Sequence, residues 1–230
     1  MRLKIIYEDD DLLVADKPAG IDVIEMMDLF IKEDSDLKKV GEEPRYGLVH
    51  RLDKDTSGVI LVAKHEKGLI FFQKQFKNRR VEKRYIALAT GKVKNNQGVI
   101  ETLIGRAPKD RKKQKVYLPT EPNSEGKREA VTEYKVIKRF KDYTLLEISP
   151  KTGRKHQIRC HFSYLKHPIV GDKMYGFKNQ LRPEGLSRQF LHASYLKIKL
   201  PDGREKEFKS KLPEDLEICL QKLKPSTKPN

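Results

Sequence analysis

Five consecutive apolar residues, Val59-Ile60-Leu61-Val62-Ala63, constrain this chain more than any other stretch. Such a run reads as a strand buried in the core, and the rest of the fold must be built around it. Directly ahead lies His50-Arg51-Leu52-Asp53-Lys54-Asp55-Thr56-Ser57-Gly58, which sets Asp53 between the cations Arg51 and Lys54. Nearby positive charge favours an ionised carboxylate. A charged carboxylate at the edge of a core strand suits a nucleophile or a base. It equally suits a structural ion pair, and the local sequence leaves both open. Asp55, before Thr-Ser-Gly, reads as a turn-forming residue.

The remaining pattern is rich in strands. Leu3–Tyr7 and Leu12–Ala15 flank a turn at Asp9-Asp10-Asp11, and Lys17-Pro18-Ala19-Gly20 ends the second strand. Residues 21–46 are acidic and helical in places. Glu66–Asn78 carries Leu69, Phe72, Gln73 and Phe76 at helical spacing. Further strands are expected at Lys83–Thr90, Val99–Ile104, Ala130–Phe140, Tyr143–Ile148, Leu191–Leu200 and Glu205–Lys209. Helices are expected at His156–Leu165 and Pro213–Leu223. The segment Arg106–Lys115 reads as an exposed basic loop. Strands outnumber helices and many connections are hairpin-like. The expected class is α+β, a largely antiparallel mixed sheet flanked by helices, in one domain over residues 1–224 with a disordered tail at 225–230.

Charge adds a partner class. The 230 residues carry a formal net charge of +16, yet the first fifty hold 7 Lys/Arg against 13 Asp/Glu. The positive charge is therefore concentrated from the nonapeptide onward, a footprint for a polyanion such as nucleic acid. Cys160 and Cys219 are far apart with no metal-site spacing, which suits a reduced, cytoplasmic chain. There is no membrane-length apolar stretch, Gly-rich phosphate loop, dinucleotide fingerprint, His-Glu-x-x-His or Cys-x-x-Cys. Chemistry here is expected to rest on side chains, without metal or cofactor.

Six blocks then occur in order. They are Asp11–Gly20, the nonapeptide, Lys83-Arg84-Tyr85-Ile86-Ala87-Leu88, Thr152–Arg159 with His161, His167–Asp172 with Tyr175-Gly176, and Leu191-His192-Ala193. In order and spacing they resemble the RluA-type pseudouridine synthases over nearly the whole chain. The resemblance implies the pseudouridine synthase fold and a reaction: isomerisation of uridine to pseudouridine in RNA, ribosomal or transfer, with no cofactor, metal or energy source. It implies that Asp53 is the catalytic carboxylate, acting as covalent nucleophile or as base. Arg51 is implied to enter the RNA helix where the target has left the stack. Tyr85 is implied to stack on the displaced uracil, and Arg159 to pair with the catalytic carboxylate.

Arg154 and Lys155, at an expected helix start, are candidates for RNA phosphates. Lys112, Lys113 and Lys115 are candidates for further backbone contacts, adding affinity and salt dependence without base specificity. His156 and His161 have no third ligand at suitable spacing, so they read as structural hydrogen-bonding groups. Two departures stand out. After Pro18-Ala19-Gly20 the chain runs into Ile21-Asp22-Val23-Ile24-Glu25 where relatives commonly have a Val-His-Pro type stretch. It also starts almost at the first catalytic-domain strands, so no N-terminal RNA-binding domain is expected. A monomer is expected. The competing reading is an RNA-binding or ribosome-assembly factor that keeps the fold without the chemistry.

Overall fold

The structure, a computed structural model, describes residues 3–225. Its strands are β1 Lys4–Glu8, β2 Leu12–Lys17, β3 Ser57–Ala63, β4 Glu82–Thr90, β5 Gln97–Arg106, β6 Gln114–Tyr117, β7 Arg128–Arg139, β8 Tyr143–Pro150, β9 Leu191–Lys199 and β10 Glu205–Lys209. The helices are α1 Val23–Glu33, α2 Glu66–Lys77, α3 Gln157–Tyr164 and α4 Glu214–Gln221. The chain packs as two compact units. One takes residues up to Lys83 together with His192–Leu212; the other takes Arg84–Leu191 and the chain from Pro213 onward.

In the first unit the apolar run lies in β3, all of whose residues are buried. β2 pairs antiparallel with it from Leu12↔Ala63 to Lys17↔Gly58. β1 closes a hairpin on β2, and the Asp9 carboxylate locks the turn by accepting from the Asp11 and Leu12 amides, both at 2.9 Å. β9 joins β3 in parallel at Ser57↔His192 and Gly58↔Ala193, then turns back antiparallel into β10. Gly58 sits at φ +117, and a Cβ there would stand 2.1 Å from the Ala193 carbonyl oxygen, so this approach requires glycine.

Helix α2 covers this sheet. Leu69 and Phe72 enter a core with Leu12, Val14, Val59, Leu61, Leu196, Ile198 and Phe208. Burying a Phe such as Phe72 contributes about 2–3 kcal/mol. The polar member of the buried helix face is Gln75, whereas the sequence spacing pointed to Gln73, which is exposed. The Gln75 amide donates to the Lys199 carbonyl (2.8 Å) and accepts from its N–H (3.0 Å), so the buried glutamine takes the place of a neighbouring strand.

The acidic segment after β2 contains α1. Asp22 accepts from the Ile24 and Glu25 amides while Glu25 returns a bond to the Asp22 N–H, forming a capping box. Val23, Met26, Met27, Phe30 and Ile31 form its buried face.

In the second unit the strands run β4-β8-β7-β5-β6, every neighbour antiparallel. α3 packs with Ile158 and Phe162 against Ala87, Ala89, Ile100, Leu146 and Ile148. α4 is held by Arg188, whose guanidinium grips Asp215 with two bonds of 2.7 and 3.0 Å. Cys160 and Cys219 are unbridged and buried; burial pushes their thiols up to about 12 and about 11. The expected tail needs one correction: Pro225 forms a bridge with Phe140, and 226–230 lie outside the described residues. With the parallel β3–β9 pair set among antiparallel strands and helices packed on them, the α+β mixed architecture stands as expected. No described helix is long and apolar enough to cross a membrane.

Candidate active site

Asp53 sits half-buried on the loop that feeds β3, and Arg51 is exposed on the same loop. Three devices hold this loop. A turn closes by the Thr56 N–H donating to the Asp53 carbonyl at 3.0 Å. The His50 ring stacks on Phe76 at 4.6 Å between centroids, and its Nε2 accepts the Leu61 N–H at 3.1 Å. An accepting Nε2 requires the neutral ring with its proton on Nδ1. Desolvation, with the nearby charge of Lys83, pushes the His50 pKa down to about 3.

The third device is Lys17. Its side chain is fully buried at the end of β2, and its ammonium donates to the carbonyls of Pro18 (2.8 Å), Ile21 (2.7 Å) and Lys54 (3.0 Å). The Gly20 N–H donates to the same Lys54 carbonyl at 3.0 Å. One buried cation thus ties the Pro-Ala-Gly turn to the residue after Asp53. Sequence reasoning took Lys17 for part of a breaker. The missed signal is that a lysine closing an apolar strand is buried, and its charge then requires several acceptors.

In the second unit Arg159 lies on α3, with its side chain 8% exposed. Its Nε and Nη2 donate to Asp172 at 2.7 and 3.0 Å, and its guanidinium stands 5.1 Å from the centre of the Tyr175 ring. Burial works to raise the Asp172 carboxyl. The hydrogen bond and charge of Arg159, joined by the Tyr175 and Met174 amides, outweigh it and hold the group below its ordinary value. The Tyr175 hydroxyl accepts the Gln114 N–H at 2.7 Å and lies 2.9 Å from His156 Nδ1. Asp172 and Tyr175 therefore orient Arg159, a role that sequence reasoning did not assign to them.

Ahead of α3, the Gln157 amide is fully engaged by Thr152, the Arg154 N–H, the Val131 carbonyl and Thr132. Arg154 donates through Nε to the Glu129 carbonyl at 2.7 Å, while Lys155 is exposed. His161 is buried between the hydroxyls of Thr102 (3.0 Å) and Thr132 (2.9 Å), and desolvation pushes it down to about 4. Tyr85 is half-buried on β4 opposite Ile148, against the α3 core.

The expected basic loop is corrected. Its ends pair as β5 and β6, with Gly105↔Lys115 and Arg106↔Gln114 in register, because Val116 and Tyr117 supply a buried strand end. Lys115 is therefore a strand residue, 3.9 Å from Glu121 and over the Tyr117 ring. Lys112 and Lys113 stay in the connecting turn, where the Asp110 carboxylate accepts the Lys112 N–H at 3.0 Å.

A family model described as RNA pseudouridylate synthase matches residues 11–164, a span that contains Asp53, Tyr85 and Arg159. A protein of Aquifex aeolicus named as an uncharacterized RNA pseudouridine synthase is 42% identical over 194 residues, covering 80% of this chain and 59% of that protein. The ribosomal large subunit pseudouridine synthase D of Borreliella burgdorferi is 38% identical over 231 residues, covering 95% of this chain and 68% of that protein. The solved structure of Human RNA Pseudouridylate Synthase Domain Containing 1 superposes with a TM-score of 0.80 at 28% identity, over 98% of this chain and 89% of that one. The chain thus spans less than two thirds of the Aquifex relative and slightly more than that of the Borreliella one. On the family match and these identities, the chain belongs to the RNA pseudouridylate synthase family.

Proposed function

We propose that this chain converts uridine to pseudouridine within RNA, with Asp53 as the reacting carboxylate. What carries the reading is the coincidence of two things at one loop. Asp53 lies within the span that the family model matches, and Lys17 ties its loop down through a buried ammonium. Positioning of this kind is what a reaction at a single sugar carbon needs.

In this reading the Asp53 carboxylate bonds to C1′ of the target, or removes a proton from its sugar. The N1–C1′ bond breaks and uracil departs with the electron pair. The base turns and C5 bonds to C1′, displacing the Asp53 carboxylate in the first route or with the sugar regaining its proton from Asp53 in the second; the C5 proton is then lost and N1 gains one, so no atom is gained or lost overall. Tyr85 stacks on the base, and Arg51 fills the space it vacates. Arg159 serves as counter-ion to the reacting carboxylate, its guanidinium plane set by Asp172. Lys112, Lys113 and Lys155 contact phosphates. The name of the Borreliella relative favours large-subunit ribosomal RNA as substrate over transfer RNA.

The test is to incubate purified protein with each RNA class and map pseudouridine by carbodiimide adduct and primer extension. Conversion of discrete uridines in large-subunit RNA is expected, and Asp53→Ala should reduce it to background with RNA affinity little changed. If no uridine is converted in either RNA, the proposal fails. If Asp53→Asn preserves every cellular phenotype, the chain is a binding factor instead.

A further inference from the structure

The C-terminal half of α2 serves two places within the first unit. Phe76 stacks on the His50 ring, three residues before Asp53. Phe71, Lys74, Gln75 and the cap residue Asn78 line a cleft of about 670 Å³, whose other wall is the end of β9 and its turn into β10. None of the roles above uses this cleft.

Hydrogen bonds fix its walls. Gln75 joins them, since its amide holds both backbone groups of Lys199. The β9–β10 turn closes by the Gly203 N–H donating to the Leu200 carbonyl at 3.0 Å and the Leu200 N–H donating to the Arg204 carbonyl at 2.7 Å. Beyond α2 the Arg80 N–H returns to the Gln75 carbonyl at 2.9 Å, which keeps Arg80 at the cleft. The volume lies in the range of preformed sites for small organic molecules, and a nucleotide is of that size.

The lining is basic and aromatic. Lys74, Arg80 and Lys199 are exposed along it. Lys197 meets Glu205 at 2.7 Å, so that acid is answered within the wall; Glu82 is the other acid of the lining, and four cations thus face two carboxylates. Phe71 is half-buried, its ring set at 79° to that of the buried Phe72 at 5.3 Å between centroids. Cations gathered about an aromatic ring are how proteins hold unpaired nucleic acid: the charges follow the phosphates and the ring carries a base. A duplex keeps its base faces stacked inside, where a ring in a cleft cannot reach them. An acidic peptide would use the cations and leave the ring without a partner.

We infer that this cleft receives an unpaired stretch of the substrate RNA outside the target uridine, with phosphates on Lys74, Arg80 and Lys199 and a base against Phe71. The inference rests on the reading of the chain as acting on RNA and goes beyond the reacting site. It gives the first unit an RNA contact of its own, in addition to Lys112, Lys113 and Lys155. A strand held here is anchored to the same helix that carries Phe76 against His50.

The test replaces Lys74, Arg80 and Lys199 together by Gln, and Phe71 separately by Leu. The probe is a single-stranded oligouridylate, its affinity measured by fluorescence anisotropy across a series of KCl concentrations. The triple variant should bind more weakly and lower the salt slope of log K by about 2, or about 0.7 for each lost phosphate contact. Phe71→Leu should weaken binding about fivefold or more with the slope unchanged. A control replaces Lys32, Lys38 and Lys67 by Gln; these are also exposed in the first unit and lie outside the cleft, so the slope should stay. The triple variant should melt at the wild-type temperature, because its substituted side chains are exposed. If Phe71→Leu melts lower, the triple variant decides.

Three results would each overturn the inference. One is an unchanged salt slope in the triple variant. Another is an equal fall in the control, which would make the effect one of overall charge. The last is a triple variant that loses affinity for poly-glutamate and keeps it for oligouridylate, which would make the cleft a seat for an acidic polypeptide. Binding of oligouridylate is read without turnover, so a failure of the cleft is distinguishable from a failure of the isomerase reading, which is settled by wild-type pseudouridine formation.

Discussion

Single buried charges decide much of how this molecule responds to change. Lys17 answers the Pro18 and Ile21 carbonyls and shares the Lys54 carbonyl with the Gly20 N–H at the turn that holds the Asp53 loop. Lys17→Met should destabilise the protein by about 3 kcal/mol, read from urea denaturation, because charged hydrogen bonds are lost and buried acceptors remain. Lys17→Arg should not rescue it, since a planar fork cannot reproduce three donors spread about one nitrogen. Acid should act through His161 and His50 together, His50 lying at about 3 in the folded chain. The folded value of His161 lies at about 4 against an ordinary 6.5, so between those values the unfolded chain takes up a proton that the folded chain refuses. Stability is therefore complete above pH 6.5 and falls as pH drops toward 4. Asp172 is also depressed in the folded state, so its contribution is present above its ordinary 3.8 and is lost below it. Urea midpoints measured from pH 7 to pH 4 should decline across the upper window, and His161→Gln should lessen that decline, leaving the part that His50 contributes.

At the level of elements, local patterns were readable and distant partnerships were not. The β1–β2 and β7–β8 hairpins, β3 and α2 follow from turn residues and apolar spacing in neighbouring residues. α1 was harder because its acids obscure it, although the Asp22/Glu25 capping box and the Met26, Phe30 spacing are local signals that would have found it. Asp172 was invisible as the partner of Arg159, since thirteen residues and a change from helix to loop separate them. Lys17 was invisible as a clamp because the Pro18 and Ile21 carbonyls belong to a turn and that of Lys54 lies beyond β2's own hairpin. The basic stretch between β5 and β6 was partly misread because Val116 and Tyr117 give it a strand end. Within it, Lys112 and Lys113 remain at the turn. Replacing both by Ala should weaken RNA binding across sequences and lower the salt slope by about one per lost phosphate contact.

On the scale of the whole chain, each compact unit is completed by residues from beyond position 190. The first unit takes β9 and β10, which place Leu196, Ile198 and Phe208 in the core beneath α2. Ending the chain after Leu191 should therefore leave the first unit unable to fold, with β3 and its apolar face uncovered. The expected readout is aggregation and loss of near-ultraviolet circular dichroism. Residues 11–164 match the family model, yet that stretch does not contain all the strands its own core requires. The two thiols carry a different consequence. Cys160 on α3 and Cys219 on α4 are 4% and 1% exposed, and both belong to the second unit. With thiolate scarce at neutral pH, an alkylating reagent reaches them when their helices open. The protein thus carries its own pair of clocks: Cys160 times the opening of the helix that holds Arg159, and Cys219 times the last helix of the chain.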